Sequence, residues 1–581
     1  MKFSHFCQVL SQLEQTSSRN QMVVILSGLF KNLRPEETAE TIYLLQGRVA
    51  PLYEPIEFGL SDKLLVRAIS KAYEVENSAV VHQQQKLGDL GKATETIASQ
   101  RGKNVKSDQS VFQVHARLFA IAKTSGLGSV DKKINLVGDL LSLLDPLSVR
   151  FVIRIVLDTL RLGFSDMTMI EAFSWSIDNS KAHKLIIESA YNIRPDLGQI
   201  ATILKKDGIS GLRRLQPSVN TPILMARGER LTSGEDIINK IGRCALEHKV
   251  DGFRLQIHFS KKRDTVRLFT RNLEDATVMY PDVVEGIKQQ INAAEAIFEG
   301  EAVGYNEKSG QFLPFQETVQ RKRKYHIEEK ALEIPLKLIC FDVLYKDGQT
   351  LLSRPYGERR KILEDMVKSG PVLSVIEEKV VETPEEVKVF FQDAVTRGLE
   401  GIFAKRLDGA YQAGARGWNW IKYKRSYAGR LEDTLDTVIM GYDYGTGKRT
   451  SFGIGALLLG VYNPKKDRFE TISKMGTGLT DIEWKEMRQK LDLLKVSEKP
   501  ARYEVDKAQT VDIWVNPKIV IQVRADEITR SPVHTAGKDN QQLGYALRFP
   551  RLETIRDKIP EDASSVAEVI SIYKAQGKQK V

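Results

Sequence analysis

Glu247-His248-Lys249-Val250-Asp251-Gly252-Phe253-Arg254 places a lysine two residues ahead of an Asp-Gly pair. Phe253, Leu255, Ile257 and Phe259 then alternate with polar neighbours, and this period of two predicts a strand. The Asp-Gly pair predicts a tight backbone bend just before it. A lysine held at such a bend, beside other cations and away from bulk water, has a lowered pKa and can act as a nucleophile. The motif is short, and a surface lysine in a strand-turn fits it as well. What the rest of the chain carries separates the two readings.

The chain has 581 residues, enough for roughly three or four domains. With 42% hydrophobic residues it can bury cores of ordinary size. Lys and Arg number 86 against 75 Asp and Glu, a formal charge of +11. That excess points to a polyanionic partner, with nucleic acid the foremost class. Cys7, Cys244 and Cys340 are too few and too far apart for a disulfide framework or a four-cysteine zinc site. No signal-peptide pattern opens the sequence, and Met22 to Phe30 is too short and too flanked by polar residues to span a bilayer. The expectation is a cytoplasmic, prokaryotic protein with no membrane partner.

Working outward, residues 1–215 read as helical. Val149 to Leu162 shows an apolar stripe of Phe151, Val152, Ile155, Val156 and Leu160, with Arg150, Arg154 and Arg161 opposite and Gly163 placed to end the helix. Those arginines fit either a solvated face or one that approaches phosphates. Arg101, Lys103 and Lys106 form a second basic patch in a polar loop. Lys205-Lys206-Asp207-Gly208 and Gln216-Pro217 read as a linker. From 216 to 425 strands alternate with helices. Leu255 to Phe259 and Val266 to Thr270 flank a hairpin turn, Ala296 to Tyr305, Leu336 to Tyr345, Gly401 to Arg406 and Trp418 to Tyr423 read as strands, and Asp282 to Ala294 and Pro384 to Thr396 as helices. From 426 to 581 five or so short strands with Gly-rich turns predict a small closed barrel of the OB type, followed by a helix over Val566 to Gln576. The fold class expected is multidomain α+β: an all-α DNA-binding domain, an α+β nucleotidyltransferase domain and an OB-fold barrel.

The middle region scatters polar residues along its strands: Arg271-Asn272, Glu299-Gly300-Glu301, Phe341-Asp342, Glu400-Gly401, and Lys422 with Lys424. Singly, each has an ordinary structural reading. Together they supply a nucleophilic lysine, carboxylates for a hard divalent cation, cations for phosphates and an aromatic plate for a base. That set suits nucleotidyl transfer.

On these residues the chain resembles the ATP-dependent DNA ligases of the archaeal and eukaryotic replicative type, over nearly its whole length. Lys249 to Gly252 resembles the nucleophile motif, with Arg254 where the family has arginine. Thr270-Arg271-Asn272 is similar to a Ser-Arg-Asn motif, Glu299 to Val303 to an Asp-Gly-Glu-Ala-Val strand, and Phe341 to Tyr345 to the strand whose Phe stacks on adenine. Glu400-Gly401-Ile402, Arg416 and Trp420 to Lys424 resemble the later motifs, and Arg548-Phe549-Pro550-Arg551 the motif that ends the barrel domain. Leu160-Arg161-Leu162-Gly163 resembles a DNA-contacting segment, and Gly441 to Gly460 with Lys474-Met475-Gly476 the OB domain. Thr270 and Gln522 depart from the family's Ser and Glu.

The resemblance implies sealing of 5′-phosphate/3′-hydroxyl nicks in three transfers. AMP goes from ATP to Lys249, then to the nick phosphate, and the 3′-hydroxyl displaces it. It implies that Glu247 and Phe341 meet adenine, that Arg254 and Lys422 lower the pKa of Lys249, and that Arg271 and Arg416 hold phosphates or sugar. It implies that Glu301 and Glu400 hold Mg2+, or another divalent cation such as Mn2+. Arg548 and Arg551 would close over the nucleotide, with a hinge at Lys424 to Gly429. Nicked double-stranded DNA is the implied partner of a monomer. A sliding clamp is a further candidate, without a clear motif for it. An RNA ligase or capping enzyme would not carry the long helical region, an NAD-dependent ligase would bring a four-cysteine zinc module, and a scaffold would not keep Lys249, Glu301, Glu400 and Lys422.

Overall fold

The computed structural model describes the chain except for residues 17, 102–107, 161, 307–309, 314, 324, 398, 425–433, 445–452, 526, 540–542, 549 and 579–581. Up to Arg213 its regular elements are helices, from Phe3–Gln15 to Leu197–Arg213, around one core. Met22, Val23, Leu26, Leu29 and Phe30 lie buried on the Arg19–Asn32 helix, as the apolar spacing predicts. Among the described residues no helix is long and apolar enough to cross a membrane.

Two expectations for this region are corrected. The helix expected from Val149 to Leu162 is Pro146–Val156, capped by Asp145, which accepts from the Ser148 N–H at 3.1 Å. It stops early because Asp158 takes φ +53° and the Thr159 N–H turns back to the Arg154 carbonyl at 2.8 Å. Its arginines do not face solvent or a polyanion. Arg154 is 2% exposed, held by Asp89 at 3.0 Å and Glu14 at 3.2 Å, and Arg150 pairs with Glu14 and Glu95. The neighbouring Leu90–Arg101 helix comes so close that a Cβ on Gly91 would lie 2.7 Å from the Arg150 carbonyl. Arg161, Lys103 and Lys106 lie outside the described residues. The linker expected at Lys205 to Gly208 is instead inside the Leu197–Arg213 helix, which kinks at Gly208 (φ +63°), and the chain leaves that helix only at Arg214.

The middle region packs two sheets. In one, Cys244–Lys249, Gly401–Arg406 and Arg416–Lys424 run antiparallel side by side, with Arg227–Arg230 and Glu378–Val381 at the edges. Its back is closed by Gly234–Ile241 and Pro384–Thr396 through Ile237, Leu246, Phe390, Phe391, Ile402 and Ile421. The other sheet is built on Phe253–Ser260, Thr265–Thr270, Glu295–Asn306 and Leu336–Lys346. The Asp-Gly bend joins the two. A Cβ on Gly252 would collide with the Ala302 carbonyl, so only glycine lets the chain cross there. Thr270 keeps the hydroxyl of the serine it replaces, accepting from the Glu274 N–H at 3.2 Å.

The C-terminal region is a β domain richer than the five strands expected. Thr434–Asp443, Ala456–Asn463, Arg468–Met475, Ile513–Val515 and Val520–Arg524 are joined by Lys495–Val496, Tyr503–Glu504 and Arg551–Arg556 in one sheet, with a separate Glu527–Ser531/Gly544–Arg548 hairpin. An unpredicted helix, Asp481–Asp492, adds Trp484, Met487 and Leu491 to its core. Gln522 donates from its amide to Thr434. This domain touches the helical one through Asp467, which accepts from Ser165 at 2.8 Å and Arg502 at 2.8 Å, and through a Lys518–Asp158 pair at 2.8 Å.

Arg154 is almost fully buried, so removing it takes an ion pair from the buried Asp89 and one of two from Glu14. Arg154→Ala is expected to cost about 3 kcal/mol or more. A urea melt checks this, and the salt dependence of DNA binding should stay as in the unmutated chain.

Candidate active site

Residues directly opposite one another in paired strands share a face. Gly401 lies opposite Lys249 and Lys424, Phe403 opposite Glu247 and Lys422, and Lys405 opposite Ala245 and Trp420. Period two thus puts Glu247, Lys249, Phe403, Lys405, Trp420, Lys422 and Lys424 on one face, while His248, Ile402 and Ile421 go to the back. Gly401 has φ +148°, and a Cβ there would run into the Tyr423 carbonyl. The Glu400-Gly401 step brings the three strands together where the lysines stand.

Lys249 ends its strand with its ammonium 2.5 Å from Glu400 and 5.5 Å from the centre of the Phe403 ring. Lys424 grips the other Glu400 oxygen. Burial alone would raise the Glu400 carboxyl, but the two lysines outweigh it and hold it well below the usual carboxylate range. Glu301 comes from the second sheet, opposite Arg254, and accepts from the Gly252 N–H at 3.2 Å. Burial pushes its carboxyl up to about 7, with Asp251 and Glu400 adding to the rise against Lys249 and Arg254.

Arg254 is not free to act on Lys249 in this arrangement. It donates to Glu299 at 2.7 Å and to the Ala226 carbonyl at 2.7 Å, and its guanidinium sits 5.3 Å from the Phe341 ring centre. Glu299, fully buried, also takes the Tyr411 hydroxyl at 2.9 Å. The strand carrying Phe341 slips register against its neighbour between Glu299 and Gly300, so Phe341 is the extra residue of a bulge. Its ring lies edge-on to Trp420 at 6.0 Å. Glu247 is 2% exposed and accepts from Tyr356 at 2.6 Å and Lys405 at 2.9 Å.

The remaining expected cations are gathered, but their partners are carboxylates of the C-terminal segment. Asp562 takes Arg271 at 2.7 Å and Arg227 at 2.6 Å. Glu568 takes Arg416 at 2.9 Å and lies 3.5 Å from Lys422. Burial pushes Lys422 down to about 7 against the pull of Glu568. Lys422 is therefore turned to Glu568 and not to Lys249, a second correction to the pairing expected. Nor does the pair Arg548 and Arg551 supply the contacts seen at these cations. Arg548 ends one hairpin strand opposite Glu527, and Arg551 opens a strand opposite Arg524. Phe549 and the hinge segment beyond Lys424 lie outside the described residues.

Phe403, Lys405 and Tyr356 were missed. The first two were findable, since Gly401-Ile402-Phe403-Ala404-Lys405 alternates and must share the face of Gly401. Tyr356, Asp562 and Glu568 come from distant chain and carry no local signal.

Among the described residues no three acidic, His or Cys side chains form an all-protein metal cage. Magnesium-type sites use one or two carboxylates with substrate phosphates completing the shell. Glu301 and Glu400 fit that donor set, and the upward push on Glu301 marks a place where added positive charge is favoured.

Three family models match in chain order: DNA ligase N terminus over residues 2–174, ATP dependent DNA ligase domain over 226–424, and ATP dependent DNA ligase C terminal region over 450–559. A "Probable DNA ligase" of Dictyoglomus thermophilum is 46% identical over 583 residues, covering 100% of this chain and 99% of the relative. "DNA ligase 2" of Thermofilum pendens is 39% identical over 598 residues, covering 100% and 98%. Among solved structures, mycobacterial DNA ligase D complexed with ATP and MES is 25% identical over 59% of this chain and 98% of that one, with a TM-score of 0.32. The helical region, the nucleotidyltransferase sheets with their lysine, and the C-terminal β domain thus belong to one known enzyme architecture, and the chain is a member of the ATP-dependent DNA ligase family, whose activity is the sealing of nicks in DNA.

Proposed function

We propose that Lys249 is the adenylylated nucleophile and that the lysine-bearing face of the first sheet is where AMP is transferred. The observation that carries this reading is the strand register. It sets Lys249 level with Lys424 across Gly401, and Glu247 level with Lys422 across Phe403, so that the lysine, an acceptor and two further cations share one face. A nucleotide laid along that face meets Glu247 and Phe341 with its base, Lys249 with its α-phosphate, and Lys422, Arg416 and Arg271 with its outer phosphates and sugar. Attack needs the free amine, so the Lys249–Glu400 pair has to part first. Mg2+ held by Glu301 and Glu400 would neutralise charge on the phosphates. That ion would also compete with Lys249 for Glu400.

The acidic C-terminal segment belongs to the same reading. Asp562 and Glu568 offer carboxylate oxygens to four cations suited to phosphates. A triphosphate and these two side chains compete for one set of partners. The described arrangement is a closed one that nucleotide has to displace.

Three outcomes test this. Lys249→Ala should form no labelled protein–AMP from α-labelled ATP, yet still seal a nick already carrying 5′-AMP; label retained on the variant removes Lys249 from the role. Asp562→Asn with Glu568→Gln should lower the apparent KM for ATP in single-turnover adenylylation by about tenfold, because the competent fraction rises. An unchanged KM means the carboxylates do not compete. A chain starting at residue 216 should still adenylylate but lose nick affinity, with a shallower dependence on salt, since phosphate contacts dominate such binding. Affinities measured across a salt series decide it.

A further inference from the structure

Lys405 is a buried cation that the mechanism above does not use. Its side chain is 1% exposed, and its ammonium lies 2.9 Å from Glu247 Oε1, 2.8 Å from Oε2 and 2.9 Å from the Phe341 carbonyl. The rings of Trp420, Tyr356 and Phe341 surround it at 4.5, 4.8 and 5.0 Å. A buried ion pair is weak evidence of added stability, because apolar side chains of similar volume fill such a place as well. What the charge does supply is the largest single pull toward the ionised form of Glu247, against its burial.

That state decides which group Glu247 can recognise. An ionised carboxylate only accepts hydrogen bonds, whereas a protonated one also donates. Oε1 already takes Lys405 and the Tyr356 hydroxyl at 2.6 Å, and among the described residues Oε2 takes Lys405 alone, leaving acceptor capacity on Oε2. The groups facing Glu247 are Tyr356 and Arg360 on the Tyr356–Met366 helix, Glu378 on its strand, and Lys405 on Gly401–Arg406. Arg360 is 3.9 Å away, and Glu378 shares the Tyr356 hydroxyl. Burial pushes the Glu247 carboxyl up, and Lys405 opposes it ahead of Tyr356 and Arg360.

We propose that Lys405 is a specificity-determining positioning residue: it holds Glu247 as an anion, so that the site accepts a base bearing an exocyclic amine, as adenine does, and refuses one bearing an oxo group in its place. This rests on the reading that Glu247 meets the base. Adenine offers hydrogens to the free lone pair of Oε2. The oxo group of hypoxanthine or guanine would face that lone pair with its own, and such an unpaired polar contact in a dry site gives strong discrimination. The phosphate-facing residues play no part in this choice.

The test is single-turnover adenylylation of the full chain with ATP and with ITP, from weakly acid to weakly alkaline pH. The ratio of the two rates at subsaturating nucleotide removes the titration of Lys249, which both reactions share. The unmutated chain should prefer ATP with a flat ratio. In Lys405→Met the ratio should fall about tenfold or more at the acid end. It should recover as pH rises, because Glu247 without its cation binds a proton at low pH and loses it at high pH. Lys405→Gln, which keeps a donor for the Phe341 carbonyl and avoids a fully apolar replacement, should behave in the same way and carries the test if the Met variant does not fold. Glu247→Gln, whose amide both donates and accepts, should lower the ratio at every pH, and adding Lys405→Met to it should lower the ratio no further. If both Lys405 variants keep the original ratio while Glu247→Gln lowers it, the role of Lys405 is overturned and the base-reading role of Glu247 stands. If Glu247→Gln leaves the ratio unchanged, Glu247 does not meet that edge of the base and both readings fall.

Discussion

Gly401 is flanked by Lys249 on one strand and Lys424 on the other, with the Tyr423 carbonyl where any side chain would have to go. The site depends on this close approach of three backbones. It brings two ammonium groups onto one carboxylate, Glu400, and sets the register from which every other chemical side chain of the first sheet takes its face. A one-residue slip would send Lys249 and Glu247 into the apolar back of the sheet among Ile237, Phe390 and Ile402, and bring Leu246 and His248 to the front. The burial of that back is what holds the front in place.

The second sheet acts as a wall of paired charges. Arg254 and Tyr411 both donate to Glu299, and Gln256 donates to it at 3.2 Å, so one buried carboxylate ties three side chains together. Arg359 and Asp342, both without exposure, do the same beneath Phe341 at 2.8 Å. These pairs explain why single polar residues read from a strand are ambiguous. Asp342 and Glu299 look as chemical as Glu301 in sequence, yet each is consumed by a buried arginine. Glu301 differs because the foremost cation acting on it is Lys249, from the other sheet.

Electrostatics also joins the domains. Two carboxylates of the C-terminal segment, Asp562 and Glu568, face Arg227, Arg271, Arg416 and Lys422, and Asp467 of the β domain accepts from Ser165 of the helical one. Contacts of this kind are salt-sensitive at their edges and exchangeable for other anions.

Read alone, the sequence determined the helical, mixed and β regions and most strand positions, and it singled out Lys249, Glu247, Arg254, Arg271, Glu301, Phe341, Glu400, Arg416 and Lys422 by residue type and setting. Periodicity is a local property, and the spacing of Gly401 to Lys405 or Leu255 to Phe259 reports the face of a strand without knowledge of its neighbours. Only the tertiary structure decided which charges meet. Arg150 and Arg154 turned from an apparent basic face into buried partners of Asp89 and Glu14, Lys205 to Gly208 stayed inside a helix, and Arg271, Arg416 and Lys422 were found facing Asp562 and Glu568. The physical reason is that these ion pairs are contacts between residues from 65 (Arg154–Asp89) to 291 (Arg271–Asp562) positions apart in the chain. Each partner is chosen by packing and by the cost of leaving a buried charge alone, and neither quantity is written in a local pattern.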